Sequence, residues 1–189
     1  MSDRTAIVER RDLAAKVLAC SLLTALGARL AMPLPYTPVP VTWQVAGVLL
    51  AGLWLGPRGA FASQTLYVLM GAAGAPVFAH GFGGAAVLIG PTGGYLLSYP
   101  FAAWAVGTLA GMQPNRGPIR MFLASMAAVA VIYAFGCLQL AFVLHLSPLQ
   151  ALLRGAGAFL LWDVAKAVLV VGAIGLKDRS RYPLRDERL

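Results

Sequence analysis

Long apolar runs, separated by short polar, Pro-rich or Gly-rich breaks, organise this chain. A helix needs about 20 apolar residues to cross the hydrocarbon core of a bilayer. The runs predict six spans, at residues 13–32, 43–55, 60–73, 92–111, 119–144 and 155–176. The first break, MPLPYTPVPVT, carries Pro33, Pro35, Pro38 and Pro40. Proline lacks an N–H and clashes with the turn before it, so this stretch reads as an extended loop. Gly56-Pro57-Arg58-Gly59 ends the second span as a tight turn. The third break, GAPVFAHGFGGAAVLIGPTGG, holds Gly74, Gly81, Gly83, Gly84, Gly90, Gly93 and Gly94. Irregular backbone at membrane depth is tolerated only against protein or a cavity, so this loop is expected to fold back on the protein. MQPNRGP and HLSPLQ are short turns. The second and third spans are short, which fits a compact bundle of tilted or partly inserted helices. Residues 1–189 thus read as one all-α polytopic membrane domain of six transmembrane helices.

Composition agrees with the runs. Of the 189 residues, 59% are hydrophobic and 12% are charged, against about 25% charged in an average soluble domain. Mean hydropathy is +0.76. So few charges cannot cover a soluble domain of this length, which excludes a soluble globular protein, a disordered chain and, despite the net charge of +8, a nucleic-acid binder. The cations instead mark orientation. Six spans put both termini on one side, and Lys and Arg accumulate in cytoplasmic segments. With the termini inside, the inner side carries Arg4, Arg10, Arg11, Lys16, Arg58, Arg116, Arg120, Lys177, Arg179, Arg181, Arg185 and Arg188; the outer side carries Arg29 and Arg154. This predicts a multi-pass protein of the cytoplasmic membrane whose Pro-rich loop, Gly-rich loop and HLSPLQ turn face outward. The head before the first span is long and charged and no small-residue cleavage site precedes Pro33, so it is not a cleavable signal peptide. Cys20 and Cys137 lie inside apolar runs and read as small core side chains.

Six of the seven acids sit in the terminal tails, leaving Asp163 as the one acid of the apolar body. Lys166 lies three residues on, on the same helix face. Ionisable groups in a span face the bundle interior or a wet cavity and mark substrate paths or relays; the alternative is an ion pair that only fixes helix register. Gln44, Phe78, His80, Tyr95 and Trp162 cluster toward the outer ends of their spans, beside Trp43. An aromatic there also suits the interfacial belt, a lone His80 suits an ordinary loop, and no metal site is expected because one needs several ligands. Gly90-Pro91-Thr92-Gly93-Gly94 opens the fourth span with backbone that allows close approach. No GxxxxGK[ST] loop is present, so ATP hydrolysis on this chain by that route is excluded. A second carboxylate for an aspartyl protease is missing from the apolar body, and no serine triad is in evidence. A small intramembrane enzyme using Asp163 as acid or base with His80 stays open, as does a structural protein with a register-setting Asp163–Lys166 pair. Ala15 and Ala19, and Ser21 and Ala25, are small residues four apart on the first span, a spacing that serves close helix packing.

Three stretches taken together resemble the BioY family, the biotin-specific S components of energy-coupling-factor vitamin transporters. They are PVPVTWQVAGVLLAGLWLGPRGA (Pro38 to Ala60), GAAGAPVFAHGFGGAAVLIGPTGGYLL (Gly71 to Leu97) and Asp163-x-x-Lys166. GPTGGY with the preceding PVF is the most specific element, and the resemblance runs from about Ala31 to Lys166. The chain departs from it just before Asp163, where Phe159-Leu160-Leu161-Trp162 stands in place of the Pro-Phe or Gly frequent in the family. The resemblance implies a six-helix S-component fold with cytoplasmic termini and a biotin pocket near the outer face, closed by the first outer loop and the loop between spans three and four. It implies a coupling membrane T component and two ABC ATPases as partners, with Ala15 and Ala19, or less closely Ser21 and Ala25, as the docking pattern. It implies no cofactor and no covalent chemistry. In that setting Asp163 would accept ureido N–H bonds and Lys166 would pair with it, donate to the ureido oxygen or neutralise the valerate. Gln44 would add hydrogen bonds, Phe78, Tyr95 and Trp162 would cover the rings, and His80, Gly90 and Thr92 would complete the wall.

Overall fold

The structure, a computed structural model, describes residues 2–113 and 116–181. Helix lies over every apolar run. Helix α1 covers Ser2–Arg29, α2 Gln44–Ala72, α3 Ala85–Ile89, α4 Gly93–Ala110, α5 Pro118–Leu144, α6 Pro148–Leu152 and α7 Leu160–Arg181. Among the described residues, three helical stretches are long and apolar enough to cross a membrane: Gln44–Ala72, Pro118–Leu144 and Pro148–Lys177.

The Pro-rich break is more ordered than an extended loop. Strands β1 (Ala31–Leu34) and β2 (Thr37–Thr42) pair antiparallel, with Met32 opposite Val41 and Leu34 opposite Thr37. The register breaks between Met32 and Leu34, where Pro33 cannot donate to the ladder. Val39 and Val41 point into the core between Pro38 and Pro40, the alternation of a half-buried strand.

Helix α2 contains both short spans. Gly56 has φ 71°, ψ −178°, a conformation costly for any residue with a Cβ, and Pro57 follows it. The Gln44 amide nitrogen donates to the Tyr67 hydroxyl. Along straight helix these residues would stand about 34 Å apart, so α2 folds back on itself at Gly56 as a helical hairpin. The turn costs a hydrogen bond: the Leu53 carbonyl would accept from residue 57, but proline has no N–H. Arg116 supplies the missing donor. Its Nη2 lies 2.6 Å from the Leu53 oxygen and its Nη1 2.9 Å from the Gly111 oxygen, where α4 ends. Arg120 Nε donates to the Leu109 oxygen at 2.9 Å, and Lys177 Nζ lies 4.1 Å from the Trp54 ring centroid. Cations at helix C-termini match both the unpaired carbonyls and the negative end of the helix dipole. These side chains gather at one end of the molecule. Arg185 and Arg188 lie outside the described residues, as do the side chains of Arg4, Arg179 and Arg181.

At the other end the Gly-rich segment folds back as expected. Gly84 N donates to Gly71 O at 2.7 Å and Phe78 N to Phe82 O at 3.0 Å. The HLSPLQ turn carries a reciprocal cap between Ser147 and Gln150 that starts α6. Residues Leu153–Gly157 then make a wide π turn before α7, so the sixth apolar run begins with non-α backbone.

The core lies between α2, α4 and α5, with α1 against α2 and α7 against both α2 and α5. Close approach of α4 and α5 rests on Gly94: a Cβ there would stand 2.3 Å from the Phe135 carbonyl oxygen. Gly94→Ala should therefore force the two helices apart at a cost of about 1–3 kcal/mol, read as a lower melting midpoint in detergent. Gly172→Ala, in open space, should leave the midpoint unchanged; equal midpoints for both variants would contradict the packing.

Candidate functional site

A cavity of about 450 Å³ opens at the end away from the Arg116 cluster. Its wall comes from β2 (Pro38 to Thr42), the start of α2 (Gln44, Val45), the Gly-rich segment (Phe78, His80, Phe82) and the turn Gly90, Pro91 and Thr92. Tyr95, Leu96 and Tyr99 of α4, Ile132 and Tyr133 of α5, and Phe159, Asp163 and Lys166 complete it. The α7 side follows from spacing, because Phe159, Asp163 and Lys166 stand four and three residues apart and share one face.

Asp163 and Lys166 are 3% and 4% exposed. Lys166 Nζ donates to Asp163 Oδ1 at 2.7 Å, and the Tyr133 hydroxyl donates to Oδ2 at 2.6 Å. A buried ion pair is tolerable only when its remaining polar capacity is also met; here α5 provides the third member. Asp163 takes its hydrogen bonds from Lys166 and Tyr133 and none from His80, so an acid–base pairing of Asp163 with His80 has no geometric support. Across the cavity, Thr42 Oγ1 donates to Gln44 Oε1 at 2.9 Å, Gln44 Nε2 donates to Tyr67, and Tyr67 donates to the Val77 oxygen at 3.1 Å. The Tyr95 hydroxyl bonds the Gly155 oxygen at 2.8 Å, tying α4 to the π turn. Gln139 Nε2 bonds the oxygens of Leu88 and Gly90 at 2.8 and 2.7 Å and so holds the Gly90–Thr92 turn against α5. Arg29 Nη2 bonds the Pro76 oxygen at 2.8 Å, joining the end of α1 to the Gly-rich segment.

The structure brings Gln44, Phe78, His80, Gly90, Thr92, Tyr95, Asp163 and Lys166 to one cavity. His80 sits at its exposed margin at φ 56°, its ring edge-on to Phe82 with centroids 6.4 Å apart. Trp162 does not join them. It is half-exposed, because one residue of helix turns it about 100° away from Asp163; Phe159, one turn earlier, takes the place expected of it. On α1, Ala15 is exposed and Ala19 half-buried, on a stripe with Leu22 and Leu26. Ser21 faces inward: it is fully buried and its hydroxyl donates to the Ser63 oxygen at 2.6 Å. Ala25, one turn on, packs against the core. Among the described residues no three His, Cys, Asp or Glu side chains could hold a metal ion.

Sequence reasoning missed Tyr99, Tyr133 and Phe159; the wall supplied by β2 belongs to the first outer loop, which the resemblance implied as a closing segment though not as a strand. Helical spacing was signal enough for two of them, since Tyr99 follows Tyr95 by four residues and Phe159 precedes Asp163 by four. Tyr133 carries no local signal, because its partner lies 30 residues away on another helix.

A helical membrane protein with a mainly apolar cavity, open at one end, and one buried ion pair on its wall is the class that fold and site define. A model of the BioY family matches residues 2–181, and the chain belongs to that family. It is 36% identical to the biotin transporter BioY of Rhizobium etli over 185 residues, covering 94% of this chain and 98% of that one. It is 40% identical to the biotin transporter BioY of Thermotoga maritima over 153 residues, covering 80% and 86%. The fold matches the crystal structure of the S component for biotin from an ECF-type ABC transporter, with a TM-score of 0.81 over 96% of this chain and 94% of that one, at 23% identity.

Removing one member of a buried pair strands the other. Lys166→Met should cost about 3–5 kcal/mol, and Asp163→Asn combined with Lys166→Met should recover most of it, since Tyr133 can still donate to the asparagine oxygen. Melting midpoints of the ligand-free proteins in detergent read both; a double variant no more stable than the single one would show that the pair is not coupled.

Proposed function

We propose that this chain binds biotin and acts as the substrate-binding subunit of a biotin uptake system in the cytoplasmic membrane. The observation that carries the reading is the cavity: its volume lies in the range of small-molecule sites, its wall is largely apolar, and its charges are confined to the Asp163–Lys166–Tyr133 cluster. Biotin has the matching halves, an apolar bicycle and chain with a ureido group that offers N–H donors and an oxygen acceptor. Asp163 accepts ureido N–H in charge-assisted bonds, Lys166 balances the charge, Gln44 and the Gly90–Thr92 turn frame the ring, and Phe78 and Tyr95 cover it. His80 closes the margin. The curated relatives bear the name biotin transporter, which supports the same ligand.

The distribution of cations supports an orientation. Arg58, Arg116, Arg120 and Lys177 lie toward the end opposite the cavity, which by the charge rule is the cytoplasmic one. Both termini are then inside, the apolar runs make six crossings, and the cavity faces outward under β1–β2 and the Gly-rich segment. Biotin enters from outside, these two segments close over it, and the subunit reorients against its partners to release it inward. A coupling T component and two ABC ATPases supply the energy; no cofactor and no covalent step on biotin are needed. The exposed Ala15–Ala19 stripe of α1 is the face offered for docking.

Asp163→Asn and Lys166→Ala should each weaken biotin binding by tenfold or more, by calorimetry on detergent-purified protein. Wild-type affinity in both would remove the cluster from the site. Ala19→Trp should leave that affinity intact while abolishing uptake and co-purification with the coupling subunit; normal uptake would place the dock elsewhere.

A further inference from the structure

We propose that the hydroxyl of Tyr99 is a ligand-binding donor, and that it bonds the ureido oxygen while Asp163 accepts the adjacent N–H. The assignment rests on the biotin reading above and extends it to a residue outside the Asp163–Lys166 pair.

Most polar side chains of the cavity wall already hold a partner inside the protein. Gln44 is committed at both ends of its amide, to Thr42 and Tyr67. The hydroxyls of Tyr95 and Tyr133 are committed to Gly155 and Asp163, and Lys166 gives one of its three N–H groups to Asp163. Thr92 and His80, also on the wall, make no side-chain hydrogen bond among the described residues, but Thr92 is half-buried and His80 exposed. Tyr99 lines the same cavity, is 3% exposed, and its hydroxyl makes no hydrogen bond among the described residues. The Tyr99 hydroxyl is not one of the sealed unpaired atoms, which among the described residues are Gln64 Oε1 and Thr65 Oγ1, so it opens onto the cavity, where a ligand can reach it. Its ring is fixed, stacked on Tyr67 with centroids 6.2 Å apart and planes 22° from parallel. It is therefore a preorganised donor whose bond is left for an occupant.

The chemistry of that occupant follows from the neighbour. Tyr99 on α4 and Asp163 on α7 line the same cavity, one offering a donor and the other an acceptor. A neutral group that combines an N–H with a carbonyl oxygen fits both residues at once. In a cyclic urea each N–H lies beside the shared oxygen, so an N–H given to Asp163 leaves that oxygen to be met by a second donor of the cavity wall.

Tyr99→Phe keeps the ring and deletes only the hydroxyl. Titration of detergent-purified wild type and variant with biotin and with 2-iminobiotin, whose imino nitrogen replaces the ureido oxygen, separates the possibilities. The variant should bind biotin about tenfold more weakly and 2-iminobiotin within about threefold of wild type. Its ligand-free melting midpoint should stay equal or rise, because no internal bond is lost. If wild type itself binds no biotin, the reading of function fails before any variant is made. If wild type binds and the variant binds biotin equally well, only the Tyr99 assignment fails. Equal losses for the two ligands would overturn the oxygen assignment, and a lowered midpoint or failure to fold would show that the hydroxyl has a partner inside the protein.

Discussion

A carboxylate held away from water inside a membrane domain has to be given donors, and the two that Asp163 receives set the geometry around it. Lys166 is local, one helical turn along α7, and neutralises the charge. Tyr133 is remote and fixes α7 against α5 through a bond of 2.6 Å. A carboxylate has about four lone-pair positions, and one protein donor on each oxygen leaves room on both for a ligand. The pair is thus satisfied enough to be buried and open enough to bind. A register-setting pair alone would not need to line a cavity, whereas this one does.

The same pressure, that a buried polar group be given a partner, explains the other long-range bonds. Proline after Gly56 orphans the Leu53 carbonyl, and Arg116 reaches across from the segment just before α5 to fill it. Gln139 holds two carbonyls of the turn that leads into α4, and Arg29 holds one in the Gly-rich segment. These three irregular stretches of backbone are each tied to a side chain from a different element. The cavity wall inherits its shape from these ties.

How much of this was legible in the chain depends on the range of the interaction. Apolar runs and breakers located the helices, because both signals are local, and the proximity of Asp163 to Lys166 is a property of one helix. The α2 hairpin was legible as Gly56-Pro57 between two short runs. Hydropathy placed Ser21 correctly on α1 but not on a face; only the hydroxyl's bond to Ser63, 42 residues away, shows that it points inward. Trp162 failed for a related reason, since nearness in sequence to Asp163 is not nearness around the helix. The Pro-rich break hid its strands because four prolines argue against helix without arguing for pairing, and the valines between them carry the alternation. Tyr133 was invisible until α5 and α7 were brought together.

Helix α1 shows how one element can serve two surroundings without compromise. Its inward face is fastened by polar bonds, Ser21 to Ser63 and the Gln64 amide to Thr24 at 3.1 Å, so its attachment to α2 does not depend on apolar contact alone. Within an apolar medium that matters, because burying a leucine from lipid gains little, while a hydrogen bond and close packing still hold. The outward stripe of Ala15, Ala19, Leu22 and Leu26 is then left with no internal role, and its small residues near the α1 start are where another helix can approach most closely. The cavity lies at the far end of the same helix, joined to it by Arg29. Under the proposed docking, a partner on the stripe would hold a helix whose other end bonds the Gly-rich segment at the cavity wall through Arg29, so a push on α1 would be carried to that wall.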